Sequence, residues 1–227
     1  MCIRDSRLYL SIARPDNLFI TDLQEKFQTA GIEVKNSNLG QLPETTWFHY
    51  PSDYLGDIVH SLNVRSDNLY AESVLRLLSL SAHEKGSAEK GIDIIRKYWQ
   101  NYEADSLELF MYDGSGLARN NKVSAKYLNC VLKETARDSL IGEYFVQTLP
   151  LAGKEGSVAT IMKHGELPGE LRLKSGSMSD VHAYAGYYTT PQNRYAIVVM
   201  INNYTCTRAQ LKQKISTLLT QVLSKKE

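Results

Sequence analysis

The hydrophobic period of this chain changes late in the sequence, and that change limits what it can fold into. Helical spacing gives way to alternation at Leu171-Arg172-Leu173-Lys174, to a β-branched and aromatic run from Val181 to Thr190, and to a third run from Tyr195 to Asn202. Pro191-Gln192-Asn193 forms the turn between the last two runs, so the segment predicts an antiparallel meander. Helical spacing then returns from Thr207 to Ser224, with Leu211, Ile215, Leu218 and Val222 predicted on one face and lysines on the other. Such a helix suits the cover of a sheet. The fold class expected is therefore mixed α/β of the α+β kind, an antiparallel sheet flanked by helices.

Upstream of the meander the text is helical. Tyr54 to Asn63 carries Leu55, Ile58, Val59 and Leu62 as one stripe, and Asn68 to Leu80 carries Leu69, Val74, Leu77 and Leu78. Ser87 opens a helix with Ala88, Ile92, Ile95 and Trp99, and Ser124 caps one striped by Leu128, Val131 and Leu132. The first residues are sparser: a strand from Leu8 to Ala13, a helix capped by Asp16 and ending at Gly31, a strand from Ile32 to Val34, and a turn-rich stretch from Asn36 to Thr46. A boundary near Pro51 divides residues 1–50 from residues 51–227.

Composition removes several functions. With 26 Lys+Arg against 25 Asp+Glu the net charge is +1, which offers no electrostatic footprint for nucleic acid. No apolar run approaches the ~20 residues of a membrane helix, and residues 1–6 do not read as a signal peptide. The 3 cysteines, Cys2, Cys130 and Cys206, match neither a disulfide framework nor a zinc site. The 5 histidines, His49, His60, His83, His164 and His182, never fall at ligand spacing, and no glycine-rich phosphate loop is present. No metal or other cofactor is expected, and the missing Gly-x-Ser-x-Gly elbow disfavours an α/β hydrolase.

Two strings of catalytic residue types remain: Ser66-Asp67-Asn68 at a helix start and Lys174-Ser175-Gly176-Ser177 on a strand. Taken singly, the first reads equally as a helix cap and the second as a strand running into a turn. They stand in a longer succession. Ser66-Asp67-Asn68-Leu69-Tyr70-Ala71-Glu72 is followed by Asp113-Gly114-Ser115-Gly116-Leu117, then Leu149-Pro150-Leu151-Ala152-Gly153, then Lys174-Ser175-Gly176-Ser177-Met178.

These four blocks, in order, resemble the class C low-molecular-mass penicillin-binding proteins, the D-alanyl-D-alanine carboxypeptidase/endopeptidase family, from about Leu55 to the C-terminus. The resemblance implies a penicillin-binding, β-lactamase-like transpeptidase fold whose N-terminal part is missing. Residues 1–50 would be the tail of an inserted accessory domain, and residues 51–227 the C-terminal part of the transpeptidase-like domain. It implies serine-type peptidase chemistry through an acyl-enzyme, on peptidoglycan peptides ending in D-Ala–D-Ala, in a periplasmic or extracytoplasmic protein inhibited by β-lactams. The implied catalytic residues are Ser66 as proton relay, Asn68 as a hydrogen-bond partner of the substrate amide that also holds a lysine in place, and Lys174 as a positive charge. Ser175 would bind the substrate carboxylate, Gly176 would let the strand approach it, and the Ser177 N–H would form half of an oxyanion hole. Position 175 departs from the family, which usually has Thr there. Asp113 to Gly116 reads as a structural loop, and Tyr184, Tyr187 and Tyr188 as sheet packing.

The nucleophile motif of this family, Ser-x-x-Lys, does not occur before Ser66. The one match, Ser87-Ala88-Glu89-Lys90, lies after it, where an ordinary helix cap explains the serine. The expectation is a fragment of a longer enzyme, with the nucleophile upstream. The alternatives are a non-catalytic cell-wall peptide-binding module and a β-lactamase or esterase of the same superfamily.

Overall fold

The computed structural model describes residues 15–33, 51–82, 85–102, 108–162 and 167–225. The chain divides into two compact units, Met1–Pro51 and Ser52–Glu227. In the first unit α1 runs from Pro15 to Thr29. Proline suits a first turn, where its missing N–H has no intrahelical role, and Asp16 therefore lies inside the helix instead of capping it. Gly31 ends the helix at φ 70°, a left-handed position that favours glycine, while the Ile32 N–H bonds the Phe27 carbonyl at 2.8 Å. Of the strand expected at Ile32–Val34, Ile32 and Glu33 have no regular structure; Val34, the strand expected at Leu8–Ala13 and the turn-rich stretch lie outside the described residues.

The second unit opens with three helices, α2 (Leu55–Arg65), α3 (Asn68–Ser81) and α4 (Ala88–Trp99). A small ribbon, β1 (Leu109–Phe110) with β2 (Lys122–Val123), precedes α5 (Ala125–Arg137) and α6 (Gly142–Thr148). A 3-10 turn at Gly156–Val158 leads to β3 (Glu170–Met178), β4 (Val181–Thr189), β5 (Arg194–Asn202) and α7 (Arg208–Leu223). Serine caps start the helices where the sequence placed them: Ser87 accepts the Lys90 N–H and Ser124 the Tyr127 N–H. Thr207 and Gln210 close a capping box on α7.

Strands β3, β4 and β5 form the predicted antiparallel meander, with Lys174 opposite Ala185 and Ser175 opposite Tyr184. Because side chains alternate across a strand, β4 sends Tyr184 and Tyr188 to one face and Tyr187 to the other. On the first face Leu171, Leu173, Tyr184 and Tyr188 pack with Val158, Ile161 and α7. On the second, Tyr187 packs with Leu132, Val146 and Leu149, and its hydroxyl donates to the Leu132 carbonyl at 2.7 Å. Burial raises that phenol well above its ordinary value. The three tyrosines are packing residues, as expected.

Two helix faces differ from the expectation. On α7 the buried stripe is Leu211, Ile215, Leu219 and Leu223, while Leu218 and Val222 are half exposed. Each pair of neighbours fits the helical period, and the tyrosine face of the sheet takes the residues spaced by four. On α3, Leu69 and Leu77 face outward, and Leu75 and Ser79 are the buried positions, because α4 packs along that side. Ile215 is 2% exposed at the centre of the α7 contact. Its replacement by alanine is expected to cost about 2–5 kcal/mol, measured as the shift in a denaturant unfolding midpoint.

Candidate active site

The two strings of catalytic residue types meet through side chains. Helix α2 ends at Arg65, and Ser66 takes the left-handed conformation (φ 55°, ψ 48°), its N–H bonding the Leu62 carbonyl. Asp67 then caps α3 by accepting the Tyr70 N–H at 3.1 Å. Ser66 is therefore the apex of a corner between two helices, with its side chain exposed. A non-glycine residue in this region is uncommon, since Cβ crowds the following carbonyl.

Lys174 reaches this corner from β3. Its ammonium donates to the Ser66 hydroxyl and, at 2.8 Å, to the Ser175 carbonyl. The side chain is partly buried, and desolvation brings its pKa down to about 8 from an ordinary 10.5. A lysine so placed exchanges its proton near neutral pH.

Backbone geometry explains why this end of β3 is open. The segment Leu149–Ala152 runs beside the first half of β3, with the Leu173 N–H donating to the Pro150 carbonyl at 3.0 Å and the Ala152 N–H to the Leu171 carbonyl at 2.8 Å. Backbone groups repeat with period two, so Ser175 and Ser177 turn their N–H and C=O to this same outer edge. No hydrogen bond from Leu149–Ala152 reaches beyond Leu173 among the described residues. Gly176 and Ser177 are exposed there, and a Cβ at Gly176 would meet nothing within 4 Å. Packing within the chain does not demand that glycine.

Ser175 is held from the other side. Its hydroxyl lies 2.6 Å from that of Ser157, in the 3-10 turn. Gly156, at φ 49°, lets that turn sit against α2: a Cβ there would stand 2.2 Å from the Val64 carbonyl. The turn thus touches the helix end that carries Ser66 and the strand that carries Lys174.

Asn68 is exposed in the first turn of α3, two residues beyond Ser66. One turn further, Glu72 Oε1 accepts the N–H groups of Gly114 and Ser115, each at 3.0 Å. Asp113 organises the rest of this loop, accepting from Gly116 N–H at 2.7 Å, Ala118 N–H at 2.6 Å and Asn121 Nδ2 at 2.8 Å. The Asp113–Gly116 block is a structural loop pinned to α3, as its sequence suggested. Ser87 is committed elsewhere, its hydroxyl capping α4 and its N–H bonding Ser79 Oγ at 2.7 Å.

Sequence reasoning missed Ser157 and Glu72. Glu72 stood inside a quoted block, and the glycines of the facing loop were the signal of close backbone. Ser157 follows the Leu149–Gly153 block by four residues, and its neighbour Gly156 was the only hint.

The chain is similar to several known proteins. The chain is 27% identical over 206 residues to the D-alanyl-D-alanine carboxypeptidase DacB of Haemophilus influenzae, covering 87% of this chain and 42% of that one. It is 25% identical over 193 residues to a D-alanyl-D-alanine carboxypeptidase of Actinomadura, covering 80% of this chain and 36% of the relative. The chain thus spans less than half the length of these curated relatives. The crystal structure of penicillin binding protein 4 (dacB) from Haemophilus influenzae, complexed with a β-lactam, superposes with a TM-score of 0.72 at 24% identity, over 94% of this chain and 52% of that one. That likeness establishes the penicillin-binding protein 4 fold. The family model for D-Ala-D-Ala carboxypeptidase 3 (S13) matches residues 3–225, nearly the whole sequence, and the chain belongs to that family.

Proposed function

We propose that this chain forms the substrate-binding and proton-relay side of a serine-type D-alanyl-D-alanine carboxypeptidase/endopeptidase acting on peptidoglycan peptides outside the cytoplasm. The observation that carries the reading is the contact between Ser66 and Lys174 beside an uncovered strand edge. A substrate ending in D-Ala–D-Ala lies along the outer edge of β3. Lys174 and the Ser175 hydroxyl bind its terminal carboxylate, and the Asn68 amide bonds its backbone. A nucleophilic serine gives its proton to the lysine of its Ser-x-x-Lys motif as it attacks the carbonyl of the penultimate D-alanine, and the Ser177 N–H stabilises the oxyanion. As the tetrahedral intermediate collapses, the terminal D-alanine leaves as an amine and takes its proton from the Ser66 hydroxyl, which is reprotonated by the Ser-x-x-Lys lysine that took the nucleophile's proton. Water then hydrolyses the acyl-enzyme.

The nucleophile and its lysine come from sequence outside residues 1–227, since Ser87 serves as a helix cap. Residues 1–50 are the end of an accessory domain and residues 51–227 the C-terminal part of the transpeptidase-like domain. β-Lactams acylate the same serine and so inhibit the protein. The test is labelling of the protein extended upstream of residue 1 with a fluorescent penicillin, followed by peptide mapping. One stoichiometric adduct on a serine of a Ser-x-x-Lys motif upstream of Ser66 is expected. An adduct on Ser66 or Ser87 sinks the assignment, and no adduct, with non-covalent binding of a D-Ala–D-Ala peptide, makes the chain a binding module instead.

A further inference from the structure

Ser175 carries its hydroxyl on an unbranched Cβ, where a threonine would carry it on a branched one, and the difference has a physical cost. Threonine is stiff at χ1 because two heavy atoms branch from its Cβ, whereas serine moves among three staggered wells. A hydroxyl that must meet a carboxylate in one direction gains from being held before the ligand arrives. In this chain a neighbour is placed to hold it: Ser157 Oγ lies 2.6 Å from Ser175 Oγ. The 3-10 turn that carries Ser157 is itself fixed, with Gly156 against the Val64 carbonyl and Val158 fully buried.

We propose that Ser157 is a positioning residue that fixes the Ser175 hydroxyl for the substrate's terminal carboxylate, replacing the restraint that a threonine at 175 would carry within itself. This deepens the reading of the site given above and rests on it. Each hydroxyl has one proton to donate. If Ser175 gives its proton to the carboxylate, the 2.6 Å contact requires Ser157 to donate to Ser175. The two hydroxyls then form a chain pointing at the ligand, and each bond polarises the next. Lys174, bonded to the Ser175 carbonyl, fixes the backbone of the same residue, so the ligand meets a hydroxyl and an ammonium that are both already oriented.

The experiment titrates the 227-residue chain with a tripeptide ending in D-Ala–D-Ala and with its C-terminal amide, followed by NMR. The ratio of the two affinities isolates the carboxylate. Ser157→Ala is expected to lower the acid-to-amide ratio about five- to tenfold. Adding Ser175→Thr to it is expected to restore the ratio to within about twofold of wild type, a rescue that a purely structural role for Ser157 would not produce. Ser157→Cys, which keeps the side chain's connectivity but puts a larger, weaker donor in place of the hydroxyl, moves the ratio the same way even if the alanine variant fails to fold. An unchanged ratio in the position-157 variants, or a double variant as weak as Ser157→Ala, overturns the role of Ser157 alone. A wild-type chain that does not prefer the acid overturns the site reading, and this inference with it.

Discussion

Replacing Ser66 with glycine is expected to slow acylation of the upstream-extended protein by β-lactam about 10²- to 10⁴-fold while leaving it folded. The rate effect is that of removing a positioned proton carrier. The structural side follows from the backbone: Ser66 sits at φ 55° and ψ 48°, where a side chain is disfavoured by about 1–2 kcal/mol and glycine is not. Glycine also makes the unfolded chain more flexible, which offsets part of that relief. The net change in stability is expected to stay within about 1 kcal/mol. Ser66→Ala keeps the strain and loses the hydroxyl, so it should be equally slow and no more stable. The measurements are the rate of fluorescent penicillin labelling and the thermal midpoint, side by side. A glycine variant that labels at the wild-type rate would remove Ser66 from the mechanism.

Lys174→Met is expected to weaken binding of the D-Ala–D-Ala tripeptide about 10- to 100-fold, because a charge-assisted bond to carboxylate is lost while length and packing are kept. Its pH signature is the sharper result. The lysine holds its proton less tightly in the folded chain, at about 8, than in the unfolded chain, near 10.5. Between those values the unfolded state binds more protons, so this group makes stability rise with pH there, whereas below about 8 burial of the ammonium costs its full amount. Wild-type affinity for the tripeptide should therefore fall as pH passes about 8, just where stability begins to rise. The methionine variant should show neither trend. Parallel pH profiles for the two proteins, in affinity or in stability, would show that Lys174 does not carry these effects.

Much of this was legible in the sequence for a simple reason: short contiguous strings encode local structure. Ser66-Asp67-Asn68 announces a helix cap, and Leu171-Arg172-Leu173-Lys174 announces a half-buried strand, so both strings could be placed before their contact was known. The α7 face could not be fixed, because Leu218 with Leu219 and Val222 with Leu223 offer the period two adjacent solutions. Only the tyrosines of β4 decide between them. The α3 stripe failed similarly, since Leu69 and Leu77 are as apolar as Leu75 and differ only in what stands opposite. Ser157 was invisible for a deeper reason. Its meaning depends on a turn being pressed against Val64 by a glycine, and on β3 passing within hydrogen-bonding distance on the other side, a coincidence of two long-range packings that no local pattern records.

The positions of Ser66 and Lys174 along the chain have a kinetic consequence. All three strands of the meander pair with sequence neighbours across short turns, which close quickly. The hydrogen bond between Ser66 and Lys174 spans 108 residues, and closing so long a loop is slow and entropically costly until the helices and the sheet have each taken shape. Secondary structure in this chain therefore matures ahead of the site. In a refolding experiment, far-UV circular dichroism is expected to recover before binding of the D-Ala–D-Ala tripeptide does.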